Sequence, residues 1–229
     1  MKENFIHVCF VIDSSGSMCG SEADVIGGFK RVVDEQKANE NGSCVVSVID
    51  FNSYPEVVCI GKDVNDIDSD LNYTVGGGTA LLDAIYIGIE KTHEWNMAQD
   101  EPDRPEKTMV VIMTDGGENC SRHSTGAGVK AKIKEMETEF GWSFVYLGAD
   151  LTNVNDASSL GIKTRGVSTK SAMMSNYDMV NTAVSAFRCA TGDSQVKYAT
   201  MDMVMDEALS ASVETLNTAY ETSTGIKIN

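Results

Sequence analysis

The sequence predicts an α/β fold: a doubly wound, mostly parallel sheet flanked by helices, with one antiparallel edge strand. Three observations predict it. Short apolar runs alternate with stretches of helical periodicity along most of the chain. Two of the runs, Cys44–Phe51 and Glu56–Ile60, are separated only by a turn near Asn52-Ser53-Tyr54-Pro55, which suits a hairpin at a sheet edge. Two other runs end in small polar and glycine residues, where an open parallel sheet collects its ligands.

The elements follow in order. Phe5–Ile12 (FIHVCFVI) reads as a buried strand that stops at Asp13-Ser14-Ser15-Gly16-Ser17. From Asp24 to about Ala38, Val25, Ile26, Phe29, Val32 and Val33 recur at the three-to-four spacing of a helix. The residues from Asp63 to Val75 are polar and irregular. Gly76-Gly77-Gly78 then precedes a helix from Thr79 to about Met97, with Leu81, Leu82, Ile85, Ile89 and Trp95 on its apolar face. Asp100–Pro105 breaks the chain. Lys107–Met113 is a strand that runs into Thr114-Asp115-Gly116-Gly117, and a lysine-rich helix spans about Ala127 to Phe140. Phe144–Leu147 is a strand, Asn155–Leu160 a short helix, Lys163–Val167 a weak edge strand, and Ser171 to Cys189 a further helix. Residues 1–190 are read as one domain and 191–229 as a C-terminal helical extension packing on it.

Composition narrows the function classes. Hydrophobic residues make up 42% of the chain, enough for a core, and 3 prolines argue against a long disordered tract. The formal charge of -16 repels nucleic-acid backbones and anionic membrane surfaces. No apolar run reaches the ~20 residues of a membrane helix, and no signal peptide is visible. The six cysteines form no CxxC pair, and Cys9, Cys44 and Cys59 lie inside apolar runs. They read as free buried thiols of a reducing compartment, so a cytoplasmic protein is expected.

Three segments bring small oxygen-bearing side chains to positions where strands end or a helix begins: Asp13, Ser15 and Ser17, then Thr79, then Asp115. In a parallel sheet these loops open on one rim. Two carboxylates, three hydroxyls and no imidazole form a hard-oxygen set, suited to Mg2+, Mn2+ or Ca2+ rather than zinc or copper.

This Asp13-x-Ser15-x-Ser17, Thr79, Asp115 pattern resembles the metal-ion-dependent adhesion site of von Willebrand factor A domains, over about residues 4–190. The resemblance implies that Ser15 and Ser17 bind the metal directly and that Thr79 does so directly or through water. It further implies that Asp13 and Asp115 act through waters or as outer acceptors. A partner protein's Asp or Glu would complete the coordination, and the module would not be an enzyme. Tyr146-Leu147-Gly148-Ala149-Asp150 with Ser159-Leu160-Gly161-Ile162 is similar to stand-alone bacterial and phage members, which work inside cells. A phage-encoded chain would sit in the host cytoplasm or the virion.

Two other readings stand beside this one. The chain is alternatively a structural or accessory component, such as a phage subunit, or a metal-dependent hydrolase. Against the hydrolase, Ser15 occupies the position two after Asp13 where a phosphotransferase needs its acid/base carboxylate. No histidine is paired with a nucleophile, and His123 reads as a solvent-facing loop residue. Cys19 and Cys120 flank the proposed metal loops. The late methionines, Met173, Met174, Met179, Met201, Met203 and Met205, read as helix core.

Overall fold

A computed structural model describes residues 2–40, 42–69, 71–148, 157–162 and 164–167, together with helical positions 180–182, 184, 185 and 188. Among the described residues, six strands form one sheet: β1 (Lys2–Asp13), β2 (Ser43–Phe51), β3 (Pro55–Asp63), β4 (Pro105–Thr114), β5 (Ser143–Gly148) and β6 (Thr164–Val167). Their order across the sheet is β3-β2-β1-β4-β5-β6, and every pair is parallel except β2 with β3. The antiparallel strand therefore lies at the edge, as its short turn predicts. Among the described residues, the long helices that cover the sheet are α1 (Glu22–Ala38), α2 (Leu81–Ala98) and α3 (Gly126–Phe140).

The central strand explains the layering. β1 sends Ile6, Val8, Phe10 and Ile12 to one face, where they meet Phe29, Val32 and Val33 of α1, and Val180 and Val184. It sends Cys9 and Val11 to the other, against Leu81, Ile85 and Ile89 of α2 and Ile133 and Met136 of α3. A strand covered on both sides needs apolar residues at every position, hence the unbroken run. β1 lies between β2 and β4, with Ile12 level with Asp50 on one side and Met113 on the other. The chain thus leaves β1 in both directions across the sheet. The loops after β1 and β4 consequently open side by side at the carboxyl edge.

Several boundaries differ from the sequence reading. The helix expected from Thr79 starts at Leu81, because Ala80 takes a non-helical conformation as its N-cap. The residues from 63 to 75 are irregular apart from a short turn at Val64–Asp66, yet Val64, Ile67 and Tyr73 are buried in the core under α1. Of the expected helix at 155–160, residues 157–160 are described and helical. Most of the helix expected over 171–189, the extension 191–229 and the late methionines lie outside the described residues.

One polar layer crosses the α2-side core. His7, on β1, is fully buried; its Nδ1 lies 2.7 Å from Asn96 Oδ1 and its Nε2 2.7 Å from Ser47 Oγ. Asn96 donates onward to Thr108 Oγ1, and Trp95 packs edge-on to the imidazole. Gly61 N–H donates to Ser47 Oγ, which leaves the serine hydroxyl proton for His7 Nε2. The imidazole is therefore held neutral, with its proton on Nδ1. Burial pushes its pKa down to about 4, opposed by the Asn96 bond.

A histidine with a depressed native pKa leaves the native state short of a proton that the unfolded state binds. Stability is then full above pH ~6.5 and falls as the pH drops toward 4. Urea unfolding at pH 7 and pH 5 should show wild type losing about 2 kcal/mol more than His7→Gln, which has nothing to protonate. Equal losses in both proteins would contradict the neutral, buried imidazole.

Candidate metal centre at the sheet's carboxyl edge

The site is built outward from Asp13, the last residue of β1. Its side chain is completely buried. Oδ1 accepts the Ser15 N–H at 2.7 Å, and Oδ2 accepts the hydroxyl of Thr114, the last residue of β4, at 2.5 Å. Its backbone carbonyl accepts from the Tyr73 hydroxyl. Burial raises the Asp13 carboxyl to about 6 against the pull of Thr114 and Ser15, and the Asp115 charge pushes it up further. Both carboxylate oxygens are thus engaged by the protein itself.

After Asp13 the chain folds into a tight turn at Gly16–Met18, which turns the two serines toward each other. Ser15 Oγ and Ser17 Oγ are 3.0 Å apart, and Ser17 Oγ donates to Asp115 Oδ1 at 2.6 Å. Thr79 comes from the far side of the rim. A methyl group added at Gly116 would stand 3.0 Å from Ser17 Oγ and 3.1 Å from Thr79 Oγ1. Gly116 is therefore the gap between the two hydroxyls, which any side chain there would crowd. All five sequence-predicted positions gather on this rim, three hydroxyls between two carboxylates.

Backbone contacts lock the loops together. Gly76 N–H donates to Ser14 O, and Gly16 N–H to Gly77 O. A side chain at Gly78 would meet Asn119 Oδ1 and Cys120 Sγ, each at 2.9 Å, so the triple glycine is threaded between neighbouring loops. The turn between β2 and β3 supplies a fourth loop that the sequence reading leaves out. Asn52 O accepts the Ala80 N–H, and Ser53 Oγ accepts the Gly78 N–H. Thr114, Tyr73, Asp83 and Glu118 are further residues that sequence reasoning missed. Thr114 had a signal, since it directly precedes Asp115. Tyr73 had none that pointed to the site, for with Leu71 and Val75 it marks only a short apolar alternation.

The donor set fits a hard divalent ion. Cis ligands around an octahedral ion at 2.0–2.1 Å are separated by about 3 Å. The Ser15–Ser17 spacing of 3.0 Å has that value. Among the described residues, no three His, Cys, Asp or Glu side chains gather into a metal cluster, so hydroxyls are the main donors on offer. Cys120, beside Gly78, has its thiol pKa raised by partial burial and by the Glu118 charge. His123 is solvent-exposed, as expected of a loop residue.

No protein-family model and no curated protein matches the chain. Solved structures do. The von Willebrand factor domain of a type V pilus tip protein from Porphyromonas gingivalis is 12% identical, with a TM-score of 0.59 over 84% of this chain and 98% of that one. A von Willebrand factor type A protein from Catenulispora acidiphila is 13% identical, with a TM-score of 0.56 over 81% of this chain and 43% of that one. Proximal thread matrix protein 1 of the mussel byssus, in a structure with a zinc-occupied metal-ion-dependent adhesion site, is 17% identical, with a TM-score of 0.50 over 79% of this chain and 47% of that one. The chain spans less than half the length of the mussel and Catenulispora proteins. At these identities the likeness establishes architecture alone: the chain has the von Willebrand factor A fold.

Proposed function

We propose that the chain is a metal-ion-dependent protein-binding module without enzymatic activity, with Mg2+ or Mn2+ at Ser15, Ser17 and Thr79. The observation that carries this reading is the cluster of three hydroxyls set between two acids, of which Asp13 already has both oxygens engaged by Ser15 and Thr114. Ser15, Ser17 and Thr79 offer neutral direct ligands. Asp13 and Asp115 balance the charge from further out, Asp115 through the Ser17 hydroxyl. A bound cation with neutral ligands supplies an electrophilic open position that prefers a carboxylate over water.

The protein around that position selects who can fill it. The chain carries -16 charges, so a free small anion gains nothing from long-range attraction. A partner protein can present one Asp or Glu to the ion and surround it with basic residues that meet the acidic face. The pilus tip protein and the metal-occupied mussel protein support a protein-binding use of this architecture. The free, buried thiols of Cys9 and Cys44 support an intracellular setting.

Calorimetry with Mn2+ and Mg2+ should show one site, lost in Asp13→Ala. Equal binding by the variant would sink the assignment. Metal at 100 times its Kd should add about 2.7 kcal/mol of stability, or roughly 5–10 °C in Tm for a chain of this size. Asp115→Asn, relieved of one charge beside Asp13, should melt higher than wild type in EDTA and lower in saturating Mg2+. A partner held in Mg2+ should be released by EDTA and ignored by Thr79→Ala. A partner whose affinity disregards both would make the site structural instead.

A further inference from the structure

The structure assigns positioning roles to Asp83 and Glu118: together they clamp the loop that follows Asp115 onto the start of the helix that follows Thr79, so the two halves of the metal site hold one fixed spacing. This inference rests on the metal-site reading above and concerns how that site is held in shape.

Between Thr114 and Gly126 the chain has no helix or strand. A segment of that kind must find partners for its backbone N–H groups elsewhere. Here two carboxylates accept five consecutive ones, from Cys120 to Ser124. Asp83, in the first turn of α2, accepts the N–H groups of Arg122 at 2.8 Å, His123 at 3.1 Å and Ser124 at 2.7 Å. Glu118 accepts the N–H groups of Cys120 and Ser121 and the Ser121 hydroxyl. Asp83 is almost completely buried. Burial alone would raise its pKa, yet the N–H groups and the Ser124 hydroxyl hold it below the ordinary carboxylate value. It stays charged and binds its donors strongly.

The clamp is reciprocal. The N-cap of α2 is Ala80, whose methyl group cannot accept a hydrogen bond. The uncapped N–H groups are taken by the loop instead: Leu82 donates to Glu118 Oε2 at 2.9 Å and Asp83 to Ser121 Oγ at 3.1 Å. Thr79 itself exchanges two bonds with Asn119, its N–H to Oδ1 and its carbonyl from the Asn119 N–H. Donors of each element thus end on acceptors of the other, from Thr79 to Asp83 on one side and from Glu118 to Ser124 on the other.

The clamp bears directly on the hydroxyls of the proposed metal site. Thr79 Oγ1 and Ser17 Oγ face each other across Gly116, and Ser17 is bonded to Asp115. A small octahedral ion tolerates shifts of only about 0.5 Å in its ligands. Loosening the clamp lets Thr79 drift from Asp115 without removing any ligand. The expected effect is therefore on affinity, and it must be carried through Thr79.

The test is a double-mutant cycle on the full chain, with Mn2+ as the probe. Calorimetry gives the Kd, and the electron paramagnetic resonance spectrum of bound Mn2+ reports the symmetry of its ligands. Melting in EDTA reports the fold separately. Asp83→Asn should weaken Mn2+ binding at least tenfold and broaden the spectrum. In a Thr79→Ala background the same substitution should change Kd by less than threefold, because the ligand that it positions is gone. Glu118→Gln, which keeps the side chain's shape, should act in the same direction and serves for the cycle if Asp83→Asn does not fold. Equal weakening in both backgrounds would make the carboxylates merely structural and overturn the inference. So would an unchanged Kd in the single variants when wild type binds Mn2+ normally. A wild type that takes up no Mn2+ at all would instead overturn the metal-site reading, and the inference with it.

Discussion

The carboxylate of Asp13 is the constraint on which the carboxyl edge of the sheet depends. A buried charge is costly unless every oxygen finds a donor. Here the donors come from the turn that follows β1 and from the end of β4, while the backbone carbonyl of the same residue takes the Tyr73 hydroxyl. Three separate stretches of chain are held in place by satisfying one residue. Ser14, next to it, ties in β2 through Phe51 O and the triple glycine through its own carbonyl. The rim is a consequence of surrounding that acid with protein dipoles. A positive ion placed on the adjacent hydroxyls removes the remaining penalty, and so favours both the ion and the fold.

What was legible in the sequence follows a physical pattern. β1 and β4 were readable because strands covered on both faces are apolar throughout, and their ends were marked by small polar residues. Asp13, Ser15, Ser17 and Asp115 were readable for the same reason, and Thr79 because glycines precede it. The antiparallel edge strand was readable from its turn, although β3 runs to Asp63, three residues beyond the end of its apolar run. Residues whose importance comes from a distant partner were not readable. Tyr73 acts on a residue 60 positions away, and Asp83 on a loop about 40 positions away. Each looks like an ordinary member of a polar stretch or a helix turn. The burial of Val64 and Ile67 was hidden likewise, because isolated apolar residues in irregular chain carry no periodicity.

The His7 layer illustrates the opposite arrangement to the rim. There polar groups are sunk into the α2-side core and matched one to one: imidazole with Asn96 and Ser47, Asn96 with Thr108, Ser47 with Gly61. A layer that is fully matched in one register and unmatched in any other penalises slippage of β1 against β2 and β4. The two polar zones stand at different levels of the same strand. One holds the strand in register, and the other presents its end to solvent.

The way α2 is capped has a consequence for the order in which the chain assembles. A helix whose N-terminal N–H groups are satisfied by side chains 36–38 residues further along cannot finish its first turn from local sequence. Until β4 has entered the sheet and its following loop has arrived, that end of α2 frays, since helix initiation is unfavourable without tertiary support. The first turn of α2 is therefore completed no earlier than the loop after β4.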